Sequence, residues 1–133
     1  MAEQTDTRLR VLVVDDSKVM RGIIRKMLTA RGVEVLEAAD GREALGLLVT
    51  EPVNCILSDW NMPRMKGIDL LRRVRGDDAL AGTPFIMLTA EALASNVIEA
   101  DAAKVSSYLV KPFTADELWR VLEDSLIPDH PVA

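Results

Sequence analysis

The sequence has one cysteine, one histidine and no apolar run near the roughly 18 residues that a membrane-spanning helix requires. Cys55 has no partner for an internal disulfide, which fits a reducing compartment and predicts a cytoplasmic protein. His130 lies in a Pro-containing tail, so histidine-based catalysis and histidine-ligated metal are both disfavoured. The first residues, Met-Ala-Glu-Gln-Thr-Asp, carry neither a basic cluster nor an apolar stretch, and predict no secretory leader. There is no Lys/Arg block. Sixteen basic against 21 acidic residues give a net charge of −5, which argues against binding nucleic acid. The 133 residues suit one domain able to bury roughly two-thirds of its extended-chain surface without disulfide or structural metal.

What is present is an alternation of short apolar runs and amphipathic segments. Leu9–Val14, Val33–Ala38, Val53–Leu57, Phe85–Leu88 and Tyr108–Val110 read as strands, three of them as continuous apolar runs suited to a parallel sheet covered on both faces. Val19, Met20, Ile23, Ile24, Met27 and Leu28 line one face of a first helix, with Ser17 as N-cap and Gly32 just past its end. A second helix is predicted from Gly41 to Glu51, capped by Asp40 and stopped by Pro52. A third spans Lys66 to Arg75. The fourth, Ala92 to Lys104, is Ala-rich and weakly amphipathic, the helix expected to shift or fray most readily. The fifth, Ala115 to Leu126, opens with the capping box Thr114-Ala-Asp-Glu117. Residues 1–8 and 128–133 read as disordered tails around a domain at 9–127. Five strands alternating with five helices predict an α/β domain with right-handed crossovers and a site beyond the carboxyl ends of the strands.

Those strand ends carry a matched set. Asp15-Asp16 follow the first strand, Asp59 the third, Thr89 the fourth and Lys111-Pro112 the fifth, whereas Ala38-Ala39 at the second are bland. Singly each residue has an ordinary explanation: Asp77-Asp78 is a solvated loop pair, and Asp59 could be a helix cap. Together they converge three carboxylates, a hydroxyl and an ammonium. Like charges 4 Å apart repel by about 4 kcal/mol at an effective dielectric near 20, and all-oxygen ligands select a hard cation such as Mg²⁺. Such a cup suits an incoming phosphoryl group, with Lys111 and Thr89 facing its oxygens and a carboxylate as nucleophile.

The segments Val-Leu-Val-Val-Asp15-Asp16-Ser, Leu-Ser-Asp59-Trp-Asn-Met-Pro-Arg-Met-Lys-Gly67, Met-Leu-Thr89-Ala-Glu91 and Tyr108-Leu-Val-Lys111-Pro112-Phe resemble, in order, those of response-regulator receiver domains, most closely the chemotaxis type. The likeness covers residues 9–126. It implies a flavodoxin-like (βα)5 three-layer sandwich with a five-stranded parallel sheet of order 2-1-3-4-5. It also implies a signalling domain rather than an enzyme in the usual sense, catalysing only its own phosphorylation and dephosphorylation. Asp59 would accept a phosphoryl group from a phosphohistidine on a histidine kinase. Asp16, Asp59 and the Asn61 carbonyl would coordinate Mg²⁺, with Asp15 acting mostly through water. Lys111 would pair with the phosphoryl group, and the Lys111-Pro112 bond would be cis. Thr89 and Tyr108 would be the switch pair, while Asn61 and Glu91 would tune the acyl-phosphate lifetime towards the short side. Trp60 should report metal or phosphoryl binding by fluorescence. Asn96 and Val97 of the fourth helix, with Tyr108, would lie on the face that binds a downstream target, such as the flagellar motor switch or a histidine phosphotransfer protein. The domain would act as a monomer.

The chain departs from the family in two places. Lys104 and Ser107 stand where receivers usually have a glycine and another small residue, so the end of the fourth helix is expected to be built differently. Leu93 and Ala94 replace lysines common in chemotaxis regulators, which makes the target face less basic. Two other chemistries are disfavoured. A haloacid-dehalogenase-type phosphatase needs an Asp-x-Asp motif, but Asp59 is followed by Trp60 and Asn61. A nucleotide or flavin binder needs glycine after the first strand, but Asp15-Asp16-Ser17-Lys18 stands there.

Overall fold

The computed structural model describes residues 9–90 and 94–126. The expected tails, Glu91, Leu93 and His130 lie outside the described residues. In chain order the elements are β1 (Arg10–Val14), α1 (Lys18–Thr29), β2 (Glu34–Ala38), α2 (Gly41–Thr50), β3 (Cys55–Asp59), α3 (Gly67–Arg75), β4 (Phe85–Thr89), α4 (Ala94–Ala102), β5 (Ser107–Val110) and α5 (Ala115–Leu126). All pairings are parallel and the strand order is β2-β1-β3-β4-β5, the order implied by the resemblance. Succession reverses at β1, which pairs with β2 on one side and β3 on the other, so the crevice expected to bind ligands opens there.

Side chains alternate across the central strands, and each face has its own core. Leu12, Val14, Ile56, Phe85 and Met87 pack under α2, α3 and α4 with Ala44, Leu48, Ile68, Leu71, Val74 and Ala100. Val11, Val13, Cys55, Leu57, Ile86 and Leu88 turn to the opposite face, where Ile24 and Leu28 of α1 and Leu118 and Leu122 of α5 cover them. Each fully buried aliphatic or aromatic side chain contributes about 1.5–3 kcal/mol of transfer free energy. Burial on both faces is why β1, β3 and β4 read as continuous apolar runs.

The helix starts follow the sequence. Ser17 Oγ accepts the Met20 N–H at 3.1 Å. Asp40 accepts the Glu43 N–H at 2.8 Å, and Glu43 reaches back to the Ala39 N–H. The Thr114–Glu117 box forms in both directions, at 2.8 and 3.0 Å. β3 begins at Cys55 rather than Val53, because the Asn54 side chain, not its neighbour's backbone, accepts the Arg10 N–H at 2.8 Å. It also runs on to include Asp59, which sits in register with Leu88.

The end of α4 corrects an expectation. Lys104 takes φ +66° itself, and the Val105 N–H reaches the Ala100 carbonyl while the Lys104 N–H reaches that of Asp101. The same pair of bonds closes α1 around Gly32, φ +81°, from Val33 to Leu28 and from Gly32 to Thr29. Both ends are Schellman motifs. The helix end is therefore built as a glycine would build it, with lysine in the glycine position. Arg75 supports it from α3: its Nε donates to the Lys104 carbonyl at 2.9 Å, and its Nη1 to the Thr83 carbonyl at 2.6 Å.

Candidate functional site

The carboxyl ends of β1, β3 and β5 bring Asp15, Asp59 and Lys111 together, and Thr89 ends β4, the strand between β3 and β5. Backbone bonds just past the strands fix their heights: Asp15 N–H to the Ala38 carbonyl at 3.1 Å, Trp60 N–H to Leu88 at 2.9 Å, and Lys111 N–H to Thr89 at 2.7 Å. Asp15 is buried, and both of its oxygens are engaged. Oδ1 accepts the Ser17 N–H at 2.8 Å, and Oδ2 accepts from Lys111 Nζ at 3.2 Å. Arg21 holds the Asp15 carbonyl at 2.7 Å. Lys111 Nζ also donates to Asp59 Oδ1 at 2.8 Å, and the Lys111-Pro112 bond is cis. Asp16 is exposed at the rim.

One oxygen from each of Asp15, Asp16 and Asp59 lies within 4.8 Å of the others. Burial raises the Asp59 pKa above its ordinary 3.8, the charges of Asp15 and Asp16 add to that, and Lys111 opposes them. Burial alone would lower the Lys111 pKa, but its hydrogen bond to Asp59 and the attraction of both carboxylates outweigh that and raise it, so it remains an ammonium. One ammonium against three carboxylates leaves the cup negative. The donor chemistry, oxygen only and half-buried, fits a hard divalent cation such as Mg²⁺.

Asn61 is exposed two residues past Asp59. Thr89 and Tyr108 line a shared cleft with Trp60, Met87, Asn96, Val97 and Ala100, with room for about one water, ≈ 10 Å³. The predicted switch pair and two residues of the predicted target face thus meet in one place. Ile98 beside them is 69% exposed. Glu91 lies outside the described residues. The sequence reading assigned no role to Gly67, yet it matters here. A Cβ on Gly67 would collide with the Asp59 carbonyl oxygen and fall 2.8 Å from Met87 Sδ, and its N–H donates to the Trp60 carbonyl at 2.9 Å. Its signal in the sequence was a poor helix former in the first turn of the predicted third helix.

Residues 11–123 match the response regulator receiver domain family. The chain belongs to that family. Among relatives, this receiver is 46% identical over 116 residues to the chemotaxis protein CheY of Pseudomonas aeruginosa, covering 86% of this chain and 94% of that one. It is 43% identical to chemotaxis protein CheY-3 of Vibrio cholerae, over 86% of this chain and 89% of that one. Among solved structures it superposes on the chemotaxis response regulator CheY4 of Vibrio cholerae with a TM-score of 0.85 at 38% identity, covering 90% of this chain and 100% of that one. The receiver domain of Francisella response regulator 1452 gives 0.80 at 37%, with coverage of 89% and 97%. Two-component signalling is accordingly the class of this receiver. Among its described residues no helix is long and apolar enough to cross a membrane.

Proposed function

We propose that the chain is a cytoplasmic phosphoacceptor that takes a phosphoryl group from a histidine kinase onto Asp59 and passes the signal to a protein target in chemotaxis. The observation that carries this reading is the single ammonium of Lys111 held 2.8 Å from Asp59 inside a three-carboxylate cup. In the transfer, an Asp59 oxygen attacks phosphorus, the P–N bond of the donor phosphohistidine breaks, and the imidazole leaves with the electron pair. Mg²⁺, when bound by Asp16, Asp59 and the Asn61 carbonyl, supplies charge neutralisation for the phosphoryl oxygens. Lys111, already paired to Asp59, is placed to follow the developing negative charge onto the phosphoryl group. Asp15, fixed by the Ser17 N–H and Lys111, keeps the ammonium oriented and would act on a bound cation through water. Asn61 and Glu91 tune the access of hydrolytic water.

Phosphorylation would draw the Thr89 hydroxyl toward the phosphoryl oxygens and free room for the Tyr108 ring in the cleft they share, remodelling the surface around Asn96 and Val97. The chemotaxis assignment is supported by relatives named as chemotaxis proteins. A shuttle that returns the phosphoryl group to a histidine phosphotransfer protein would use the same site. Borohydride trapping tests the acceptor: after incubation with a phosphohistidine donor and Mg²⁺, reduction should convert Asp59, and no other aspartate, to homoserine in a peptide map. Conversion elsewhere would contradict the assignment.

A further inference from the structure

The loop between β3 and α3, residues 60–66, contains a strained turn. Arg64 has φ +68°, and the Met65 N–H donates to the Pro63 carbonyl at 2.7 Å. An i+2 to i bond around a residue of positive φ is the rare, strained hand of γ-turn. A long side chain persists there only where its surroundings hold it. Two contacts with the start of α2 do so. Arg64 Nη1 donates to Asp40 Oδ2 at 2.8 Å. Met65 lies so close to Gly41 that a Cβ there would fall 2.7 Å from its sulfur. Asp40 is itself immobilised, because its other oxygen caps α2 through the Glu43 N–H.

The loop leaves directly from Asp59. Its ends are pinned by Trp60 N–H to Leu88 and Gly67 N–H to Trp60, and Met62 is buried in the core between them, so the turn at Arg64 sets how residues 63–66 join these fixed points. We infer that the Arg64–Asp40 ion pair is a latch that presets this loop for the divalent cation; both are positioning residues, and neither is a ligand. The inference rests on the cation site proposed above. Releasing the latch lets the strained turn relax and shifts the loop that carries Asn61, so cation affinity falls although every carboxylate of the cup is intact.

A latch and a long-range charge effect predict different signs. Arg64→Gln removes a positive charge and Asp40→Asn a negative one. Acting only as distant charges, the first would tighten Mg²⁺ binding and the second weaken it. As halves of a latch, both weaken it by about two- to fivefold, the range open to a partly exposed ion pair, and the double variant loses no more than either single one. Asparagine caps a helix as well as aspartate, so Asp40→Asn keeps the start of α2, and Arg64→Lys should recover part of the affinity. The test is a Mg²⁺ titration followed by Trp60 fluorescence in a Trp119→Phe background, with a thermal melt of each variant in chelator to establish folding. Losses of the same sign that do not add support the latch. Shifts of opposite sign, additive losses, or unchanged affinity in both single variants overturn it while leaving the cation site standing. A wild type that binds no Mg²⁺ overturns the cation site and the latch with it.

Discussion

Asp59 is held at a cost. Its carboxylate is half-buried beside Asp15 and Asp16 with one ammonium for balance, and its pKa is raised first by burial and then by those two charges. A folded-state pKa above the unfolded one means that ionised Asp59 destabilises the native protein at neutral pH and that protonation relieves it. Asp59→Asn keeps an acceptor for Lys111 and removes one charge. It should therefore melt several degrees higher than wild type in chelator, with the gap narrowing when Mg²⁺ is added to both. Equal or lower melting in chelator would show that the cup carries no net repulsion. Not every site residue was equally legible in the sequence. Asp15, Asp16, Asp59, Thr89 and Lys111 stood out because each follows a strand that its own apolar run declares. Gly67 did not, because its need is the Asp59 carbonyl standing where a side chain would go, a contact between segments that composition does not reveal. Arg64 and Asp40 are 24 positions apart and were likewise invisible as a pair.

At the scale of elements, the ends of α1 and α4 form a natural comparison. Gly32 and Lys104 occupy the same place in the same motif, at φ +81° and +66°. Lysine there carries the left-handed strain that glycine avoids. Lys104→Gly should stabilise the protein by about 1 kcal/mol, and Gly32→Ala should destabilise it by a similar amount; paired urea melts check both signs. The sequence located this helix end but not its construction, because the support comes from Arg75 on another helix, 29 residues away. The α1–β2 contact gives a second measurable effect. Hydrogen bonding from Arg25 chiefly, opposed in part by burial and reinforced by Arg21, lowers the Glu37 pKa below its usual 4.5. The stabilisation is present above the unfolded-state value and is lost as pH falls through the folded one. Glu37→Gln should cost about 1 kcal/mol at neutral pH, and the difference from wild type should shrink as pH falls through and below the carboxylate range. A difference that persists in acid would mean that Glu37 acts through packing.

Across the whole molecule, the sheet is anchored at one end and chemical at the other. Arg10, at the amino ends of the strands, binds Glu34 and Glu51 at 3.2 Å, while the uncompensated carboxylates gather at the carboxyl ends. Burial of β1, β3 and β4 on both faces made the layered architecture readable in advance, since a strand covered on both faces must be apolar throughout. Strand order was not readable from periodicity; it came from the family likeness. α4 was the least determined helix. Ala100 is its one buried residue among those described, and an exposed Arg72–Glu99 pair at 2.8 Å ties it to α3. A lightly anchored helix beside the Thr89–Tyr108 cleft is where a signal at Asp59 would most easily reach the surface. The reading that matters most is tested at Asp59, the proposed phosphoacceptor. The direct test is intact-protein mass after incubation with Mg²⁺ and a small-molecule phosphodonor, comparing wild type with Asp59→Ala. A gain of one phosphoryl group is expected in wild type, none in the variant, and none in wild type with chelator. A gain that survives Asp59→Ala, or no gain in wild type shown separately to bind Mg²⁺, would contradict it.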